Sequence, residues 1–293
     1  MNKNCERGET AVQGVHEKQG SALQNKVQVK RIIKKKAGSP AYIRANTVDE
    51  LKPWVLFDAG TVAKTAMDID WHPHSGVATI TLPYDTALMH EDSLGNKQTV
   101  HSRGLQYMAS GSGVWHKESY RAKKTIGVLQ LWLLLGPEEE TNDASYMDLQ
   151  PQDIAECDGV RVLLGQYRGL QSPVPVQHPV SYLHIRLKAG DHFNWQPPRK
   201  QNRGFIYVLS GELELQGTTI KSEELAQLQA WPTQAAPQLH MRAVGDSELV
   251  LALAEPWPYQ MLRHYGQVHT SAEALKRGSQ TIQKLAGKQS ALR

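Results

Sequence analysis

Two close pairs of residues are placed to do chemistry: His72-Pro73-His74 and His116-Lys117-Glu118. On a β-strand, side chains at i and i+2 share a face. Each pair therefore presents two donors to the same side. Forty-one residues separate His74 from His116, enough for several strands to bring the second pair back across the first. Three neutral imidazoles and one carboxylate would make a four-donor site. Such a set suits a divalent Fe, Mn, Ni, Cu or Zn ion and leaves positions open on a five- or six-coordinate metal. The same residues also read as ordinary strand histidines on a surface or in a core, and spacing alone leaves both readings standing.

The other candidates are weaker. His90 and His101 lie between the pairs, and His90 reads as a surface or packing residue of the HEDSLGN turn. His184, His192 and His240 lack an H-x-H or H-x-E companion, so a second metal in that half is not expected. Met108 and Trp115 read as core or pocket-wall residues. Neither a G-x-G-x-x-G nor a P-loop is present, which removes support for nucleotide chemistry.

The elements that must position the pairs are short strands. Val77–Leu82 (VATITL), Leu105–Met108 and Val128–Leu135 (VLQLWLLL) are apolar and β-prone. Turn residues at Ser93-Leu94-Gly95-Asn96 and Gly111-Ser112-Gly113 separate them. Gly136 to Asp153 is acidic and polar and reads as a linker. Strand-like runs resume at Val160–Leu164, Tyr182–Leu187 and Ser247–Ala254, with a hairpin expected at Ser210-Gly211 in GFIYVLSGELELQG. Thr270-Ser271-Ala272-Glu273 fits a capping box, and Leu275, Gly278, Ile282 and Leu285 follow at helical spacing. The expectation is an all-β chain of two tandem sandwiches or barrels closed by a C-terminal helix.

Composition agrees with a globular protein: 40% of residues are hydrophobic and 21% charged. No apolar run approaches the roughly 18 residues of a membrane helix, and the first residues have no apolar leader core. Cys5 and Cys157 form no disulfide framework and fit a reducing cytoplasm, so a cytoplasmic protein is expected. Net charge is +4, with the excess in the first 36 residues, which hold nine Lys/Arg and three Glu. The KRIIKKK run reads as a solvated tail or edge strand. No nucleic-acid motif accompanies it, so nucleic acid is not an expected partner.

The wording around the two pairs is more specific than their spacing. WHPHSG, HEDSLGN, LQYMASGSGVWHKES and VLQLWLLL occur in this order between Trp71 and Leu135. The series closely resembles the pirin family, whose first domain carries H-P-H, D-S-x-G-N, Q-x-M-x-x-G-x-G-x-x-H-x-E and Q-L-W. Weaker likeness runs through WVLFDA, FIYVLSGELEL, AEPWPYQ and YGQVHTSAEAL. The resemblance implies two tandem cupin domains. Residues 1–28 would be a mobile polar segment, 29–140 the metal-binding cupin, and 141–293 a cupin without metal that ends in the helix. It also implies one divalent metal, commonly iron, on His72, His74, His116 and Glu118. Two roles come with it: a quercetin 2,3-dioxygenase-like activity on a small aromatic substrate, and metal-dependent regulation through a protein partner. In the first role Glu118 would also act as the base. A different metal-cupin reaction on a small acid is a third possibility. The sequence departs from the family where a basic residue usually follows H-P-H and an acidic one comes three positions later: Ser75 and Ala78 stand there instead.

Overall fold

The computed structural model describes residues 26–35, 41–43 and 48–290. The chain divides into two compact units, one of residues Gly38–Ile154 with Trp257–Arg293, the other of Met1–Ala37 with Ala155–Pro256.

The first unit contains strands β1 (Trp54–Val62), β2 (Ala66–His74), β3 (Val77–Tyr84), β4 (Ala87–Asp92), β5 (Lys97–Val100), β6 (Leu105–Ala109), β7 (Val114–Arg121), β8 (Ile126–Leu134) and β9 (Ser145–Leu149). A short hairpin, β10 (Leu262–His264) and β11 (Gln267–His269), and helix α1 (Ala272–Ser290) complete it. Two antiparallel sheets form, in the orders β9-β6-β3-β8-β1 and β2-β7-β4-β5. Seven of the eight residues of β3 are buried, as the centre of a covered sheet requires. In β7, Val114, His116, Glu118 and Tyr120 are buried while Trp115, Lys117 and Ser119 are half-buried. The period-2 alternation of this strand thus places a polar row on its inner face.

The second unit has a seven-stranded and a four-stranded sheet. Its interior is apolar, built from residues such as Val162, Leu183, Ile206, Leu213, Met241 and Leu251. All-β architecture in two cupin-type sandwiches with one C-terminal helix is therefore the fold, as expected.

Several boundaries differ from the sequence expectation. Gly136 to Asp153 is no linker: Ser145–Leu149 pairs residue for residue with Leu105–Ala109, and Glu140 is buried. Val29–Lys34 pairs with Glu224–Leu228 at the edge of the second unit's large sheet, so it does not begin the first unit. Residues from Trp257 on, helix included, belong to the first unit and not to the second. Residues 1–25 of the segment expected to be mobile lie outside the described residues, while Val27 is buried and bonds to Gln238. Gly211 does not close a hairpin. The strands on its two sides lie in different sheets, and Glu212–Leu215 pairs with Thr218–Lys221 instead. Gly211 has a φ of 86° and serves as the corner between sheets. The helix cap is one residue later than the capping box suggested: the Ala274 N–H donates to Ser271 Oγ, and Thr270 bonds elsewhere. Cys157 is buried, and Cys5 lies outside the described residues. Among the described residues no helix is long and apolar enough to cross a membrane.

Candidate metal centre

Strand β7 is the middle of the site. It is flanked by β2 and β4, so three strands contribute side chains to one inner face. His72 and Asp92 both pair with His116, and His90 pairs with Glu118. A shift of register between Ile69 and His72 decides which side chains of β2 face inward. Without the extra residue, Trp71 would stand opposite His116 and both histidines of the H-P-H would turn to the other face.

The three imidazoles of His72, His74 and His116 converge. Their ring centroids are 4.2 to 5.1 Å apart, and one nitrogen of each lies within 4.8 Å of the others. Glu118 joins a second group, with His90 and His116, under the same limit. His116 is the shared member. The four predicted donors thus fall in two overlapping groups joined through His116 and do not form a single equidistant set.

Hydrogen bonds outside the pocket orient two of these rings. The Nδ1–H of His72 donates to Asp70 O at 2.8 Å, and that of His74 to Gly266 O at 3.0 Å. A backbone carbonyl can only accept, so both rings carry their proton on Nδ1 and leave the Nε2 lone pair free. His90 differs. Its Nε2–H donates to Asp92 Oδ2 at 3.0 Å, and its Nδ1 accepts from Gln106 Nε2 at 2.8 Å. Both nitrogens are committed, and the ring stacks on Tyr146 at 4.3 Å. Of the two readings of His90, surface or packing, the structure shows the packing one: it is a buried wall of the site. Trp132 meets His74 edge-on at 4.8 Å from the facing sheet.

Burial controls the charge of the cluster. Desolvation, then the neighbouring charge of His72, takes His74 down to about 4. The same causes, desolvation first and then the charges of His74, His72 and His90, hold His116 well below its ordinary value. Both rings are neutral at pH 7, the form that can donate a lone pair. Glu118 is fully buried. Desolvation pushes its carboxyl up, against the opposing hydrogen bond that Tyr120 Oη donates to Oε2 at 2.8 Å.

The donor set fits a cation on one further ground. Both ring nitrogens of His116 and Oε1 of Glu118 are buried without a hydrogen-bond partner, and Glu118 Oε1 lies 3.9 Å from His116 Nδ1. An unsatisfied buried polar group costs about 1–3 kcal/mol. A divalent ion would accept the lone pair of one His116 nitrogen and one of Glu118 Oε1.

The remaining candidates are elsewhere or otherwise engaged. Met108 is fully buried in its sheet, and Trp115 points away from His116, its indole N–H donating to Ile282 O at 2.9 Å. His101 is exposed. In the second unit His184 bonds Glu248, and His192 stacks on His240. Among the described residues no metal-like group of three occurs there. Ser75 and Ala78 are both fully buried, so the departures from the family wording lie in packed interior. Tyr120 and Tyr146 shape the site and carry no signal in the sequence, because each is joined to it only by folding, whereas Gln106 and Gly266 stand in the LQYMASGSGVWHKES and YGQVHTSAEAL segments without their contacts being legible there.

Comparison with known proteins bears on this geometry. The family model described as Pirin matches residues 31–133, which include every residue of the two pairs. Pirin-1 of Arabidopsis thaliana is 30% identical over 197 residues, 64% of this chain and 68% of that one. The chain belongs to the pirin family. A tomato pirin-like protein is 33% identical over 62% of this pirin and 61% of its own length. The chain spans about half to three fifths of the first curated relatives it matches. A Pseudomonas aeruginosa relative, named provisionally as a quercetin 2,3-dioxygenase, is 28% identical over 78% of this pirin and 85% of its own length. Among solved structures, the quercetin 2,3-dioxygenase of Acinetobacter baumannii superposes with a TM-score of 0.76 at 19% identity, covering 87% of this chain and 96% of its own. An Escherichia coli pirin in complex with nickel(II) superposes with a TM-score of 0.60 at 18% identity, covering 78% and 100%. At these identities the likeness to solved structures establishes the cupin fold.

Proposed function

We propose that the first unit holds one divalent metal ion on His72, His74, His116 and Glu118, and that this centre oxygenates a flavonol-type phenol. The observation that carries the reading is the unpartnered state of His116 and Glu118 Oε1 beside two rings whose lone pairs are already turned inward. The relative named for quercetin dioxygenation supports the substrate class. The nickel complex of the E. coli pirin supports a divalent ion, and Fe(II), which the family resemblance implies, is the first metal to test.

A bound redox-capable ion would bring a phenolic oxygen and dioxygen to one centre. The chain's own residues supply the rest. His72, His74 and His116 hold the ion as neutral donors. Glu118 Oε1 either holds the ion or, released from it, receives the proton of the substrate hydroxyl, while Tyr120 keeps Oε2 fixed. His72 is the half-buried member of the cluster and marks its solvent side, where a substrate would enter. Trp132 and Tyr146 supply aromatic walls from the facing sheet.

The test pairs two variants with the parent, purified without added metal. Glu118→Gln keeps shape and removes charge and basicity. It should bind metal about 10–100-fold more weakly and lose most oxygen uptake with quercetin. His74→Ala should lose metal and uptake together. An inactive parent with a full complement of metal would refute flavonol oxygenation and leave docking to a protein partner as the better reading. A fully active Glu118→Gln would remove Glu118 from the role of base.

A further inference from the structure

Behind His74 lies a second buried polar cluster that the proposed chemistry does not use. Ser75 Oγ is 2.8 Å from His269 Nε2, and the Nδ1–H of His269 donates to Glu140 Oε2 at 3.0 Å. Glu140 also accepts from the Thr270 N–H at 2.8 Å and from the Thr270 hydroxyl. Ser75 Oγ also lies 3.1 Å from Gln267 Oε1. All five residues are buried. Hydroxyl, imidazole and carboxylate stand in the order of a nucleophilic triad.

Access argues against nucleophilic work. A Cβ placed on Gly278 of helix α1 would fall 2.6 Å from Ser75 Oγ and 2.7 Å from His269 Nε2. The helix backbone therefore caps the hydroxyl, and no substrate carbonyl can approach it.

Position argues for a different task. The cluster ties hairpin β10–β11 to the end of β2: the Val268 N–H donates to Ser75 O at 3.1 Å, and Ser75 forms a β-bridge with Gln267. Gly266, at the head of the same segment, supplies the carbonyl that fixes His74 Nδ1. Its φ is 67°, and a Cβ there would lie 2.6 Å from Pro73 O. Only glycine allows that approach. The carbonyl that sets the tautomer of a metal donor thus comes from 192 residues away, and the Ser75–His269–Glu140 bonds keep it in place.

We propose that Ser75, His269 and Glu140 are positioning residues that clasp the Gly266–Thr270 segment against β2 and thereby fix how His74 is presented and how long a metal stays bound. The inference rests on the metal reading of the first unit. Loss of the carbonyl partner of a ligating histidine typically weakens metal binding 10–100-fold.

Cobalt(II) is a suitable probe, because its visible d–d absorption reports ligand geometry. The full chain is loaded with Co(II), and release to excess chelator is timed for the parent, Ser75→Ala, His269→Ala and Gly266→Ala. Each variant should release the ion about 10–100-fold faster with an altered spectrum. Ser75→Ala removes only one oxygen, so it keeps the test open if His269→Ala fails to fold. Unchanged release and spectrum in Ser75→Ala and His269→Ala, with only a lower melting temperature, would overturn the clasp while the metal reading stood. A parent that takes up Co(II) no better than His74→Ala would bring down both. Covalent capture of Ser75 by a fluorophosphonate would show an accessible nucleophile and overturn the proposal directly.

Discussion

His116 is the residue on which both donor groups converge, and its surroundings separate ligand from wall among its neighbours. His72 and His74 spend Nδ1 on carbonyls outside the pocket, whereas His90 spends both nitrogens, on Asp92 and Gln106. His90→Gln should therefore keep nearly full metal content, while His72→Ala should lose it. Elemental analysis of the two variants side by side decides, and loss in both would make His90 a donor. Tyr120→Phe removes the hydroxyl that donates to Glu118 Oε2 in a fully buried site. It should lower unfolding free energy by about 1–3 kcal/mol in denaturant melts, and an unchanged midpoint would show that the carboxylate finds another partner. The sequence displayed the donors because i and i+2 pairs are local. It hid Tyr120 and Tyr146, and it showed Gln106 and Gly266 only as part of the family segments, because a glutamine amide or a glycine carbonyl reveals its partner only once the strands are paired. His90 looked like a turn residue for the same reason: only the sheet shows that it pairs with Glu118.

At the scale of elements, β3 and β8 were legible as apolar, β-prone runs. The bulge in β2 was not, since a shift of one residue is set by pairing with β7 and by the bend it permits. Acidic residues made Gly136 to Asp153 look like a linker, yet one of those acids, Glu140, is buried on His269 and Thr270. The basic run near the start read as a solvated tail or an edge strand, and Val29–Lys34 is an edge strand. Its lysines blunt the open side of the large sheet of the second unit, and Lys34 bonds Glu224 at 2.8 Å. Burial pushes the Glu224 carboxyl up, but hydrogen bonds from Lys34 and from the Lys221 N–H outweigh it and hold the carboxyl below its usual range. A lowered folded value means that the stabilisation is complete above the ordinary carboxylate range. It is lost as pH falls through the folded value. Glu224→Gln should thus melt slightly below the parent at neutral pH, by less than about 1 kcal/mol, and the two should converge in acid. A gap that persists or widens in acid would assign the effect to packing and not to the ion pair.

At the scale of the whole molecule, the two units share an architecture and differ in what fills it. The first has a polar row of His72, His74, His116, Glu118 and His90 between its sheets. The second closes its sandwich on leucine, valine, isoleucine and methionine side chains, with no group of three donors among the described residues. An apolar interior has nothing to exchange for the hydration shell of a divalent ion. Metal should then stabilise one unit and not the other. An ion present at about 100 times its dissociation constant adds about 2.7 kcal/mol to the unit that binds it. Added metal should raise the unfolding transition of the first unit, followed by fluorescence or hydrogen exchange of its strands, and leave the amides of Val180–Leu187 and Ser247–Ala254 unmoved. The His72→Ala, His116→Ala double variant should contain no metal, lose that increment, and keep the protection of the second unit unchanged. Two ions per chain, or full occupancy in the double variant, would place a metal where the apolar interior stands and would require a different assignment of donors.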